Sequence, residues 1–258
     1  MEVPGCLGTL TPCARDIGRC RLRVMTTSSV VSVPVSPAAR WAGWQRVGAV
    51  VVLCAAAGLQ TVSELLERWV DPSEGTGLEW IAAHPGLAGL KTTIDLLVAP
   101  LLVGTVVILT VLAVGGSPRF AWPGGVLGVV GMCGFASFIG AGEVAFYVLV
   151  TGGVDPVAVD TAYGAAGGLP LIVLFGMFWG GAGIGLSLLL IGLWRARSVP
   201  RGAVAVAGVF MVVDFSPLAD LVPFPVHALF LTAMVWIAVS VVRAARRGSV
   251  EGMVDAGH

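Results

Sequence analysis

The sequence predicts an all-α fold, a polytopic transmembrane helix bundle of about six spans with both termini on the cytoplasmic side (N-in/C-in). Three observations lead there. Hydrophobic residues make up 57% of the 258-residue chain and charged residues only 12%, a ratio that suits a bilayer better than a core inside a solvated shell. The uncharged stretches recur at the length of a bilayer crossing, about 20 residues at 1.5 Å rise each. The basic residues are also segregated: of 15, all but Arg68 and Lys91 fall in segments that six spans would place on one side.

The elements follow in order. Residues 1–43 read as a flexible cytoplasmic leader, with Cys6, Cys13 and Cys20 spaced unlike a zinc or redox site. Met25, followed by Thr26, Thr27, Ser28 and Ser29, is the candidate true start. A cleaved signal peptide is the alternative, because Arg40 and Arg46 precede an apolar run that ends in Ala55-Ala56-Ala57. Residues 44–243 form the transmembrane domain. The first span, about 44–66, is built on the uncharged run 47–63, and the second, about 94–114, holds Pro100, placed to kink it. The third covers about 125–150 and contains Glu143; the fourth covers about 169–194.

The fifth span, about 202–221, is the marginal one, since Asp214 interrupts it after twelve uncharged residues. An aspartate at a span centre costs about 2.5–3.5 kcal/mol on insertion scales. Charge placement argues for the span nonetheless. If 202–221 did not cross, Arg243, Arg246 and Arg247 beyond the sixth span (about 225–243) would face outward, against the preference of basic residues for cytoplasmic loops. Residues 244–258 then form a cytoplasmic tail, and the expected location is the plasma membrane. Trp41, Trp44, Trp122 and Trp194 fit an inner aromatic belt, and Trp69, Trp80 and Tyr147 an outer one. Trp179 and Trp236 fit neither and are expected inside the bundle.

Between spans one and two, Thr76-Gly77-Leu78-Glu79 has capping-box spacing ahead of Trp80 and Ile81, which predicts a short surface helix ended by His84-Pro85-Gly86. Asp155-Pro156 reads as an N-cap followed by proline at the first helical position. Gly176, Gly180, Gly183 and Ser187 recur at helical spacing and form a candidate helix-packing face, and Gly128, Gly131 and Gly134 offer another.

Net charge is zero, so nothing points to nucleic acid. Gly140-Ala141-Gly142-Glu143-Val144-Ala145 fits a dinucleotide-binding pattern but lies within an apolar span rather than at a strand-to-helix turn. No catalytic, cofactor or metal motif is recognisable, so neither an enzyme nor a cofactor is expected.

The remaining candidates for chemistry are polar residues at membrane depth: Glu143, Asp214, His227, Asp95 and Glu64. Topology places them all in the outer half of the membrane. One reading gathers Glu143, Asp214 and His227 around a water-accessible cavity that binds a cation or relays protons, because intramembrane carboxylates usually face a bundle interior. In the other, Lys91 pairs with Asp95 one turn away, Glu64 and His227 reach interfacial water, and Asp214 with Ser216-Pro217 caps a break in the helix. Two function classes follow: small-solute or ion- or proton-coupled transport, and a non-catalytic scaffold or sensor subunit. The expected partner is the lipid bilayer, with a homo-oligomer or membrane partner meeting the glycine faces in the second class.

With Arg195-Ala196-Arg197-Ser198-Val199-Pro200-Arg201 joining two Gly/Ala/Val-rich helices, the chain resembles uncharacterised six-helix integral membrane proteins of high-GC bacteria. The resemblance covers the helix pattern and that loop, and carries no functional residues across.

Overall fold

A computed structural model describes residues 41–68, 77–166, 169–216 and 224–255. The expected leader lies almost wholly outside the described residues, as do Thr76 of the capping box and Pro217. Among the described residues the secondary structure is helical, with no strand.

Helix α1 spans Gly43–Arg68. The short α2, Leu78–Ala83, follows. Pro85 then opens α3, Pro85–Val114, at a position where its missing N–H removes no helical hydrogen bond. The second span thus begins about nine residues before the expected 94, and it runs unbroken through Pro100. Pro118 likewise opens α4, Pro118–Phe138, which passes through one wide π turn at Ile139–Glu143 into α5, Val144–Thr151. Gly153, at φ 91°, supplies the left-handed turn into α6, Pro156–Ala166, where the Asp155 carboxylate accepts from the N–H of Val157 at 3.1 Å.

The next crossing consists of α7, Leu169–Gly176, a π turn at Met177–Ala182, and α8, Gly183–Ala196. Arg197, left-handed at φ 53°, ends α8 by donating its N–H to the Leu193 carbonyl. Helix α9 covers Arg201–Asp214 and α10 covers His227–Asp255, running on past the expected end at 243.

Among the described residues, five stretches are long and apolar enough to cross a membrane: Gly43–Glu67, Pro85–Val114, Pro118–Thr151, Ile172–Ala196 and His227–Ala244. The expected fifth span is the exception. Its described helix, α9, has 14 residues, about 21 Å at 1.5 Å each against a hydrocarbon layer of about 30 Å. Residues 217–223 of that span lie outside the described residues. Helix α9 nonetheless runs antiparallel to α10: Gly202 lies under the Trp236 ring, while Asp214 approaches His227.

Neighbouring helices form a closed ring in the order α1, α3, α4, α8, α9, α10, with α10 returning against α1 and α3 touching α8 across the middle. The core between them is aliphatic and includes Leu53, Val106, Leu112, Leu189, Leu193, Met234 and Ile237. One end of the ring gathers the α3–α4 turn, the end of α8 and the start of α9: Arg195 lies over the Phe120 ring, and Arg201 over Trp194. The opposite end carries Glu64, Lys91, Asp95, Glu143, Asp214 and His227, held together by the contacts described below.

The tightest seam lies between α4 and the fourth crossing, along its π turn and α8. A methyl group on Gly181 would sit 2.7 Å from the Gly131 nitrogen, and one on Gly124 would sit 2.8 Å from the Leu189 nitrogen. Of the expected face, among the described residues Gly176 and Gly180 have nothing within 4 Å of a Cβ position, Gly183 meets only the Phe215 ring at 3.6 Å, and Ser187 is exposed. The seam uses Gly181 and Gly185 instead. At 3.6 residues per turn each residue is turned about 100° from the next, so a glycine one position away from the contacting one looks elsewhere.

Trp179 and Trp236 also differ from expectation, at 38% and 42% exposed. Each lays part of its ring on a neighbour, Trp179 against Phe215 and Trp236 over Gly202. Lipid is as apolar as a protein core, so the outward faces carry no hydrophobic penalty.

Candidate functional site

The polar residues picked out from the sequence divide into two clusters at one end of the ring. The first centres on Lys91, the only lysine in the chain. Its ammonium lies 2.8 Å from Asp95 Oδ2, 3.0 Å from Glu67 Oε1 and 3.3 Å from Glu143 Oε2. Lys91 and Asp95 meet because they are four residues apart on α3. Glu67 comes from the last turn of α1, and the π turn delivers Glu143. Asp95 is 4% exposed, and its other oxygen accepts from the Ser63 hydroxyl at 2.7 Å. Three carboxylates thus converge on one ammonium, which occupies the place a bound cation would need. Among the described residues no group of His, Cys, Asp and Glu side chains is arranged to hold a metal ion.

The second cluster joins Glu64, His227 and Asp214. Glu64 accepts from the backbone N–H of Val226 at 2.7 Å and of His227 at 2.8 Å, so a carboxylate from α1 caps the start of α10. The same Glu64 oxygen lies 3.1 Å from His227 Nδ1. With Nδ1–H donating to a carboxylate, the other ring nitrogen, Nε2, is turned toward Asp214 Oδ1 at 3.9 Å. That separation exceeds a hydrogen bond. The Thr61 hydroxyl, which donates to the Ala57 carbonyl at 2.8 Å, also reaches the His227 carbonyl at 3.1 Å and ties α1 to α10 again.

Glu143 and Asp214 therefore belong to different clusters. Sequence position placed them at similar depth, but Glu143 faces Lys91 and Asp214 faces His227. Glu64 and His227 bond to each other rather than simply reaching interfacial water.

Asp214 and His227 also line a cavity of about 80 Å³ inside the ring. The rest of its wall is mostly apolar and rich in phenylalanine. Phe135 and Phe178 pack at 5.0 Å between ring centres, Phe178 and Phe215 at 5.8 Å, and Phe210 and Phe230 at 5.0 Å. Phe178 is carried by the π turn of the fourth crossing. Two further polar side chains line the cavity, Gln60 and Thr105, and among the described residues neither Gln60 Oε1 nor Thr105 Oγ1 has a hydrogen-bond partner although both atoms are buried.

Reading the sequence missed several of these residues. Lys91 was legible as a partner of Asp95 but not as the hub for Glu67 and Glu143. Its uniqueness in the chain was the available signal. Gln60, Thr105 and the five phenylalanines lie on separate helices with no shared spacing, and only the ring brings them together. No protein-family model matches the chain, and no curated protein or solved structure is significantly similar to it.

Proposed function

We propose that the chain is a carrier of the cell membrane that admits a small solute to the cavity and couples its passage to proton movement along Glu64, His227 and Asp214. One observation carries this reading: a single imidazole stands between two carboxylates at the wall of the cavity, 3.1 Å from one and 3.9 Å from the other. Histidine takes up and releases protons near neutral pH, and its two nitrogens face different acceptors here. Ionisable groups retained at membrane depth commonly mark ion and proton pathways. In this reading the arginine-rich end faces the cytoplasm together with both termini, and the polar clusters face outward. Glu143 serves the Lys91 cluster, which fixes the ends of α1, α3 and the third crossing around the relay.

The test is proton flux and solute uptake in proteoliposomes with an imposed pH gradient. Asp214→Asn and His227→Gln are expected to abolish gradient-driven flux, and Glu143→Gln to retain it at a reduced level. Flux that survives Asp214→Asn but not Glu143→Gln refutes the relay.

A scaffold role is the second reading. It is favoured by Gly176 and Gly180, where among the described residues nothing lies within 4 Å of a Cβ position. Cysteines introduced at these positions are expected to crosslink between copies or to a membrane partner in this reading, and to remain monomeric in the first.

A further inference from the structure

We propose that the cavity binds a short, linear primary ammonium ion, its charged end held beside Asp214 and a hydrogen-bonding group at its far end meeting Thr105. This deepens the carrier reading and rests on it for the idea that the ligand is a solute in transit.

The unpartnered hydroxyl comes first. Within a buried helix a threonine ordinarily satisfies its hydroxyl on the carbonyl four residues back, and Thr61, Thr110 and Thr232 do so at 2.7–2.8 Å. Thr105, 3% exposed in the middle of α3, makes no such bond and lines the cavity. A buried polar group left without a partner costs about 1–3 kcal/mol. A ligand in the cavity removes that cost.

The charge of the ligand follows from the wall. Among the described residues Asp214 is the one acidic side chain lining the cavity. Among the described residues it makes no hydrogen bond, its only ion-pair contact being the loose one with His227. A carboxylate ligand would meet like charge at Asp214. An ammonium offers three N–H donors to Asp214 and to the unpartnered Gln60 Oε1.

Shape comes from the register of α1 against α3. Ser63 bonds Asp95, and Val52 packs against Gly104, so the two helices run antiparallel. Gln60 is then level with about residue 98, and Thr105 lies about seven residues, or roughly 10 Å, deeper along α3. A cavity of about 80 Å³ drawn out over that depth is a slot for an unbranched chain. A second charge at the Thr105 end would be buried among Leu102, Val106 and Leu109 with no counter-ion, so the far group is neutral, as in a linear amino alcohol.

The experiment titrates the full chain in nanodiscs, with empty nanodiscs as the blank, against 6-aminohexan-1-ol, hexylamine, hexan-1-ol and hexanoate by calorimetry. The amino alcohol is expected to bind tightest, hexylamine about three- to tenfold more weakly for one lost hydrogen bond, and hexanoate not at all. Thr105→Val, nearly isosteric, is expected to erase the preference of the amino alcohol over hexylamine while hexylamine still binds. Because that is a ratio within one protein, it stands whatever the variant does to stability. Asp214→Asn is expected to weaken both amines at least tenfold. Equal binding of hexan-1-ol or hexanoate, a preference that survives Thr105→Val, or no binding of any probe overturns the proposal. Amine binding without uptake into proteoliposomes refutes the carrier and leaves the ligand assignment standing. Proton-coupled flux in a protein that binds no amine does the reverse.

Discussion

Glu64, in the last turns of α1, accepts the backbone N–H of His227 at 2.8 Å and so caps a helix 163 residues further along the chain. The bond closes the ring of helices, because α1 and α10 are its first and last members. The same carboxylate fixes which imidazole nitrogen faces the cavity.

Removing this cap is expected to loosen the α1–α10 contact. Hydrogen bonds to a charged group contribute about 1.5–3 kcal/mol each. Glu64→Ala loses all of them and leaves the first N–H groups of α10 unmet, whereas Glu64→Gln keeps one acceptor oxygen. Unfolding titrations in mixed micelles are expected to rank wild type above Glu64→Gln and both above Glu64→Ala. Equal midpoints for Glu64→Ala and wild type would show that the cap contributes nothing.

Lys91→Met leaves three carboxylates without their ammonium. Breaking a buried pair by removing one partner costs about 3–5 kcal/mol. Most of that falls on Asp95, whose side chain is 5% exposed against 59% for Glu67, where solvent screens the charge. The double variant Lys91→Met/Asp95→Asn is expected to recover part of the loss in thermal melts. A double variant as unstable as the single one would mean that lysine packing, not charge, is what matters.

The glycines divide into two groups by substitution. Gly131→Ala and Gly185→Ala push a methyl group into the facing backbone, and overpacking of this kind costs about 1–3 kcal/mol or more. Gly180→Ala meets open space and is expected to be neutral or stabilising by up to about 1 kcal/mol, since alanine is the better helix former. Thermal midpoints of the three proteins in one detergent decide it.

Whether α9 completes a crossing is open to labelling with a membrane-impermeant thiol reagent, in a chain whose native cysteines are replaced. Cysteines at Ser198 and at position 258 are expected to react from the same side and a cysteine at Glu79 from the other. Opposite sides for 198 and 258 would leave five crossings.

Composition, run length and charge placement are enough to read an all-helical membrane bundle from the sequence, because a bilayer leaves few ways to satisfy a backbone and each crossing must be predominantly apolar. Prolines and left-handed residues mark several helix ends for equally local reasons, and Lys91 with Asp95 is one helical turn of arithmetic. The grouping of polar residues is a different kind of fact. Glu143 and Asp214 look alike in sequence, yet Glu143, carried in a π turn, meets Lys91 while Asp214 faces His227. Which carboxylate meets the lysine, which meets the histidine and what lines the cavity depend on the order in which six helices close into a ring. That order is set by contacts between residues far apart along the chain, such as Glu64 with His227 and Gly131 with Gly181, for which no local pattern exists.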